Sequence, residues 1–500
     1  MVATESVNKE VRLAKNIDIN IKVLNEKLGV DKSYDVICRK MSVAGKKIAL
    51  YYINGMVKDE IMALILRNLD ELQRKDIAVN TLEKLLSAHI NHVQVQSEDE
   101  IDTIILNIMS GPLALLVDGE DKALVLDVRN YPGRMPEEPD LEKVVRGSRD
   151  GFVETLLFNS CLIRRRIRDP RLRFEVMQSG VRSKTDIVIG YIEEVANPDT
   201  VEEIKERLGA IKIDGLPMAE KAVEELITPG SYWNPFPKVR YTERPDVAAV
   251  HLLEGRVLVL VDTSPSVIIA PCTLWDHMQH VEEFRQNPTV GIYVRWVRYV
   301  GIIVSVFLLP LWFLFAVQPQ LLPPALKFIG PSEVGKIPLF VQFLMAELAV
   351  DWIRMAAIHT PAPLTTSLGI VAAILIGDMA VEIGLFNAEV VLYTAVAMIG
   401  LFLTPSYELS WANRLVRLFL LLAVAALGLP GLIIAMLIVT VYLIKTKSFG
   451  IPYLWPVIPF NFKFIKTIFL RTPVSVQNTR PSILKPKQWK RQEKGKRNEQ

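Results

Sequence analysis

Hydrophobic residues in this chain follow two different spacing rules. Up to about residue 288 they come in short runs with strand or helix periodicity, punctuated by charged and turn-forming residues; from residue 297 they come in runs of bilayer-crossing length. In the first regime, KIALYYINGMV at 47–57 reads as a strand reaching the turn pair Asn54-Gly55. An amphipathic stretch follows at 59–72, and helical runs are expected at 81–88 and 101–109, the latter stopped by Gly111-Pro112. Runs at 114–117 and 123–128 flank Asp118-Gly119-Glu120-Asp121 as a hairpin. RNYPGRMPEE at 129–138 is too rich in Pro and Gly for regular structure. Beyond it, DIVIGYIEEV at 186–195 reads as a strand, 200–208 as a helix, and 248–250 with 256–261 as paired strands joined around Glu254-Gly255. The pattern predicts a lead at 1–20, two cytosolic α/β subdomains at 20–130 and 140–285, and a linker at 131–140 between them.

The second regime predicts a membrane α-helical polytopic domain at 296–446, of four to six helical segments. YVGIIVSVFLLPLWFLFAV at 299–317 is long enough to span, with Pro310 expected to kink it. Further spans are expected at 368–385 and 390–403, separated by a turn at 386–389. The run 415–444 exceeds one straight crossing, and Gly428-Leu429-Pro430-Gly431 interrupts it, so it is either a bent span or a tight helical hairpin. Basic residues count the crossings: Arg295 and Arg298 precede the first span, Arg414 and Arg417 the long run, and Lys445 and Lys447 follow it. They share one side only if 337–358 supplies an extra crossing and the run 415–444 returns as a hairpin. That topology leaves both termini in the cytosol.

Composition sharpens this division. Half of the 500 residues are apolar while 23% are charged, and 58 Lys plus Arg stand against 55 Asp plus Glu. A positive mean hydropathy of +0.26 beside that charge content excludes a wholly soluble enzyme, a disordered chain and a single-span anchor. Cys38, Cys161 and Cys272 are too far apart for a disulfide framework or a close metal spacing. The charged N-terminus lacks the apolar run of a signal peptide. The tail at 447–500 carries Arg471, Arg480, Lys485, Lys487, Lys490, Arg491, Lys494, Lys496 and Arg497 against Glu493 and Glu499, and reads as a disordered cytosolic segment near anionic lipid.

The candidate chemistry lies at membrane depth. Glu347, Asp351 and Arg354, at i, i+4 and i+7, share one helix face. Either they line a pore or gate in an oligomer, or the helix lies in the interface with its charges in water. Asp378 and Glu382 repeat the i, i+4 spacing within the next span, which favours a polar pathway. Among the soluble residues, Arg164, Arg165, Arg166 and Arg168 match phosphate geometry but lack interleaved aromatics; a solvated helix face or an assembly surface is the plainer reading, and no nucleic-acid partner is expected. His89 with His92, and His277 with His280, have helical i, i+3 spacing, but neither pair is completed by other ligands. With no P-loop, GxGxxG, GxSxG or HExxH motif, neither catalysis nor a metal or cofactor is expected.

Longer phrases carry a family resemblance. They are VVRGSRDGFVETLLFNSCLIRRRIRDPRL (144–172), RSKTDIVIGYIEEVAN (182–197), TERPDVAAVHLLEGRVLVLVDTSPSVIIAPCTL (242–274), TPSYELSWANRLVRL (404–418) and KSFGIPYLWPV (447–457). Over about 40–460 the chain resembles the A-type subunits of the GerA family of bacterial spore germination proteins. HTPAPL at 359–364 and the short lead resemble a sporulation-stage branch more than a nutrient-receptor A subunit. The resemblance implies a multi-pass protein of the endospore inner membrane, a homo-oligomer conducting monovalent ions at germination, and a small membrane partner protein. The alternative is a non-conducting scaffold or signalling adaptor of the germination machinery. No family ligand residue transfers to a position here.

Overall fold

The computed structural model describes residues 11–74, 81–85, 94–130, 139, 142–228, 230, 233–322, 336–359, 369, 379–473 and 477–491. The expected linker at 131–140 falls almost wholly outside them. The chain divides into two compact units, residues 1–229, 239–272 and 473–500 in the first, residues 230–238 and 273–472 in the second.

The first unit contains two five-stranded, fully antiparallel sheets. One has strands β1 (Val36–Val43), β2 (Lys46–Ile53), β3 (Val95–Glu98), β4 (Leu113–Val117) and β5 (Ala123–Leu126), in the order β1-β2-β4-β5-β3. Its register pairs Val36 with Ile53, Ile48 with Val117 and Leu115 with Leu124. Because successive side chains point to opposite faces, the apolar run of β4 covers both. Ala114 and Leu116 meet Ile17, Leu24, Ile104 and Ile108 on one side, while Leu113, Leu115 and Val117 meet Ile65, Leu69 and Leu85 on the other. The helices Ile17–Leu28 and Ile101–Met109 therefore cover one face and Asp59–Asp70 the other. Asn54-Gly55 forms the expected turn, with Gly55 at φ +79°.

The second sheet repeats this order with β6 (Leu172–Ser179), β7 (Thr185–Ile192), β8 (Arg240–Thr242), β9 (Val257–Val261) and β10 (Val267–Ala270), arranged β6-β7-β9-β10-β8. The likeness extends to individual hydrogen bonds. Asp118, after β4, accepts from the Ile17 amide at 3.2 Å, and Asp262, after β9, accepts from the Leu156 amide at 3.3 Å. Asn20 brackets Ala14 through both its amide groups, as Asn159 brackets Val153. The Gly119 amide donates to Lys15 O and the Thr263 amide to Glu154 O, each at 2.9 Å. The unit is one fold used twice. The helix Leu156–Arg166 opens the second copy as Ile17–Leu28 opens the first.

The structure departs from two expectations. Residues 248–250 are not a strand, because Pro245–Glu254 is a helix with Pro at its first turn and Gly255 closing it at φ +100°. The tail is not disordered at 477–491. Arg480 donates to Leu253 O, Gln488 O and Lys490 O, and Leu484 is buried, so this part of the tail belongs to the first unit.

The second unit is a helical bundle. Pro288–Val317 runs unbroken through Pro310, and Leu339–His359, Ala388–Phe402 and Tyr407–Lys445 follow. Within Tyr407–Lys445, Gly428 has φ 60° and ψ −136°, outside any helix. A side chain added at Gly431 would strike Ala423 O, although residues eight apart in a straight helix lie about 12 Å apart. Val439 and Leu443 return to the cluster that holds Leu409 and Ala412. The run is thus a tight hairpin of two helices, about 32 Å and 25 Å long at 1.5 Å per residue. By length and composition, Pro288–Val317 and Tyr407–Lys445 are apolar enough to cross a membrane. The span expected at 368–385 lies largely outside the described residues.

Candidate functional site

The long bundle helices bury apolar side chains against one another and are held close by small residues. A side chain at Gly400 would fall on Gly301 O, with Ser305 beside it, so Ala388–Phe402 packs on Pro288–Val317 at short range. Trp312 is tilted against Tyr393 and makes a T-shaped contact with Phe343, with centroids 5.2 and 5.6 Å away. Leu339–His359 runs opposite in direction: Phe343 meets Trp312 and Phe313 at one level, while Glu347 meets the level of Ser305.

At that level the bundle encloses charge. Glu347 Oε2 accepts from Arg417 at 2.8 Å and lies 3.0 Å from Arg414, whose guanidinium is 2.6 Å from Asp351 Oδ2. Arg414 also donates to Glu347 O at 2.6 Å, and Arg417 to Ser305 O at 2.7 Å. The side chains of Glu347, Arg414 and Arg417 are 2%, 2% and 1% exposed. Arg354, two turns on from Glu347, lies over the rings of Trp411 and Tyr407 at 4.5 and 5.0 Å. The acidic face expected from the sequence is therefore compensated within one chain, with two carboxylates facing three guanidiniums. Glu347 Oε1, Asp351 Oδ1, Arg354 Nη1, Arg414 Nε and Arg417 Nε are buried without a protein hydrogen-bond partner.

The remaining expected residues scatter. Glu382 is exposed and does not join the cluster, and Asp378 lies outside the described residues. Arg164 is not on a surface: it is fully buried, its guanidinium bonded to both oxygens of Asp35 at 3.0 Å and to Leu172 O at 3.1 Å, joining the two copies of the fold. Arg166 reaches Ser148, Arg165 and Arg168 are exposed, and Arg168 lines a polar pocket of about 340 Å³ with Asp127 and Arg129. Burial pushes the Cys161 thiol, on the same helix as Arg164, up to about 12, as expected of an unreactive core thiol. His280 Nδ1 accepts from the Glu282 amide as a helix cap, and His277 packs near Tyr453. His89 and His92 lie outside the described residues, and among the described ones no three His, Cys, Asp or Glu converge.

In the sequence Arg414 and Arg417 stand only as markers of membrane sidedness. Their i, i+3 spacing at the head of an apolar run was the available signal that they form one cationic face. Arg295 and Arg298, read the same way, converge on the buried Glu283, with Arg295 Nε 2.6 Å from it and Nη1 donating to Ile468 O at 2.8 Å.

The chain is 47% identical over 484 residues to stage V sporulation protein AF of Bacillus subtilis, covering 97% of this chain and 98% of that one. It is 32% identical over 489 residues to spore germination protein GerLA of Bacillus cereus, covering 96% and 98%. Among solved structures it is similar to the N-terminal domain of the A subunit of the Bacillus megaterium spore germinant receptor GerK3, with 28% identity, a TM-score of 0.42, and coverage of 53% of this chain and 98% of that one. Residues 22–483 match the family described as Bacillus/Clostridium GerA spore germination protein, and the chain belongs to that family.

Proposed function

We propose that this chain is a subunit of an oligomeric ion conduit in the endospore inner membrane, and that it releases monovalent cations during germination. The carrying observation is the charge cluster of Glu347, Asp351, Arg354, Arg414 and Arg417. Ionisable groups inside an apolar bundle are costly and mark polar routes, and the five unpartnered polar atoms are groups that water or ions in such a route would satisfy. Ser305, which receives Arg417, lies about 9 Å along the helix from Tyr299, within the apolar stretch. In the arrangement described, both arginines hold Glu347, so we read it as a closed state whose opening separates Glu347 from Arg414 and Arg417. A homo-oligomer with a small membrane partner protein is the proposed assembly.

One observation favours the second reading, a non-conducting scaffold: a carboxylate bonded to two arginines also serves as a structural pin. Potassium efflux from liposomes separates the two, recorded for wild type beside Glu347→Gln with Asp351→Asn. Flux changed several-fold at unchanged oligomer mass supports the conduit. Unchanged flux in the double variant assigns the cluster to structure. Absence of wild-type flux, both alone and with the co-expressed partner, leaves the scaffold reading.

A further inference from the structure

Aromatic and basic side chains gather at one end of the bundle. The chain leaves the helical hairpin at Lys445 and forms the short helix Phe462–Phe469, FKFIKTIF. One face of that helix is fastened inward: Ile468 is buried, its carbonyl accepts from Arg295 and from the Tyr299 hydroxyl, and the Phe469 ring stacks on Trp296 at 5.5 Å. The other face is open. Phe462 is 63% exposed, and Phe460 just before it is 71% exposed. Lys466 lies over the Phe462 ring at 4.6 Å and Lys463 near the Phe464 ring at 5.9 Å, so the cations border the apolar face. Tyr293 and Trp296, on the first turns of Pro288–Val317, are also exposed.

The level is set within the same unit. Arg295 and Tyr299, which hold this helix, stand where the apolar stretch of Pro288–Val317 begins, and Lys445 ends the hairpin that returns beside Tyr299 and Leu409. An amphipathic helix with exposed phenylalanines and lysines at the mouth of spanning helices has the composition of an interfacial element. Aromatic rings suit the headgroup level, and lysines are drawn to an anionic leaflet.

We propose that residues 458–469 lie flat on the cytosolic membrane surface and bind the headgroups of anionic lipid through Lys463 and Lys466, with Phe460 and Phe462 inserted beside them. The inference rests on the reading of the bundle as membrane-spanning. It also moves the expected lipid contact from the far tail, which folds onto the first unit as far as Arg491, to this helix.

The test uses the full chain carrying Cys38→Ser, with the buried Cys161 and Cys272 retained, reconstituted in vesicles containing spin-labelled lipid. An environment-sensitive dye is attached in turn at Phe462→Cys, at Leu437→Cys on the exposed side of the hairpin, and at Val181→Cys on the first unit. The expected result is several-fold quenching at 462 by shallow spin labels. It should be stronger in phosphatidylglycerol than in pure phosphatidylcholine and reduced by Lys463→Gln with Lys466→Gln, while 181 stays unquenched. If 437 is quenched and 462 is not, or 462 is shielded from water without lipid quenching, the proposal is overturned while the spanning reading stands. Equal quenching at 462 in both lipids overturns the anionic headgroup assignment. Lack of quenching at 437 overturns the spanning reading and this proposal with it.

Discussion

Arg164 shows what burial does to a residue that looks like surface from sequence. In a run of four arginines within five residues the natural expectation is solvent, yet Arg164 is fully buried, because the helix Leu156–Arg166 lays it against Asp35, Ser33 and Leu172. Removing one partner of such a pair leaves a buried charge unmatched. Arg164→Gln is expected to destabilise the protein by about 3–5 kcal/mol, whereas Arg164→Met with Asp35→Leu recovers much of the loss. Thermal unfolding in detergent checks this, and equal losses in both variants would refute it. His251 supplies a pH dependence. Burial holds its imidazole below the ordinary value, Arg256 and Arg240 adding to the effect and Glu254 opposing it. Below about pH 6.5 the unfolded chain takes up a proton that the folded one resists, so stability present above that pH is lost as pH falls. The melting temperature should fall between about pH 7.5 and 5.5, and His251→Leu should flatten that slope; an unchanged slope would exclude His251 as its source.

Elements were legible where their signals were local. The hairpin around Asp118-Gly119 and the helices at 101–109 and 200–208 follow from turn residues and periodicity alone. The stretch 248–250 misled because Ala and Val suit a short buried run of either type, although Pro245 and Gly255 bracket it as helix signals do. The run 415–444 left two forms open, since Gly and Pro permit a bend and a reversal equally. The hairpin follows from the conformation of Gly428, φ 60° and ψ −136°, and from the contact of Gly431 with Ala423. Gly428→Ala places a Cβ in a conformation nearly exclusive to glycine and against the Gln318 amide, and is expected to cost about 1–3 kcal/mol. A melting temperature within one degree of wild type would show that the hairpin does not depend on glycine there.

For the whole molecule, the duplication within the first unit is carried by topology rather than by short motifs. Its two copies agree in strand order and in the Asp–amide and Asn bracket bonds. The pairs Asp118 and Asp262, and Asn20 and Asn159, were the readable trace. The tail belongs to this unit through Arg480 and Leu484. Arg480→Ala, which leaves Leu253 O and the tail carbonyls without their shared donor, should lower the unit's stability by about 1–3 kcal/mol and expose 477–491 to trypsin. If that segment is cleaved equally fast in wild type, it is not docked in solution.

By itself the sequence determined the mixed α/β class of the first half and the presence of long apolar helices in the second, because hydrophobic spacing and run length are local properties. Its long phrases carried the family. Tertiary structure alone decided which charges meet. Glu347 and Arg417 are 70 positions apart, and Arg164 and Asp35 are 129 apart. A charged side chain becomes a surface group, a core pin or part of a polar route according to what the fold brings against it, and no spacing along the chain encodes that partner.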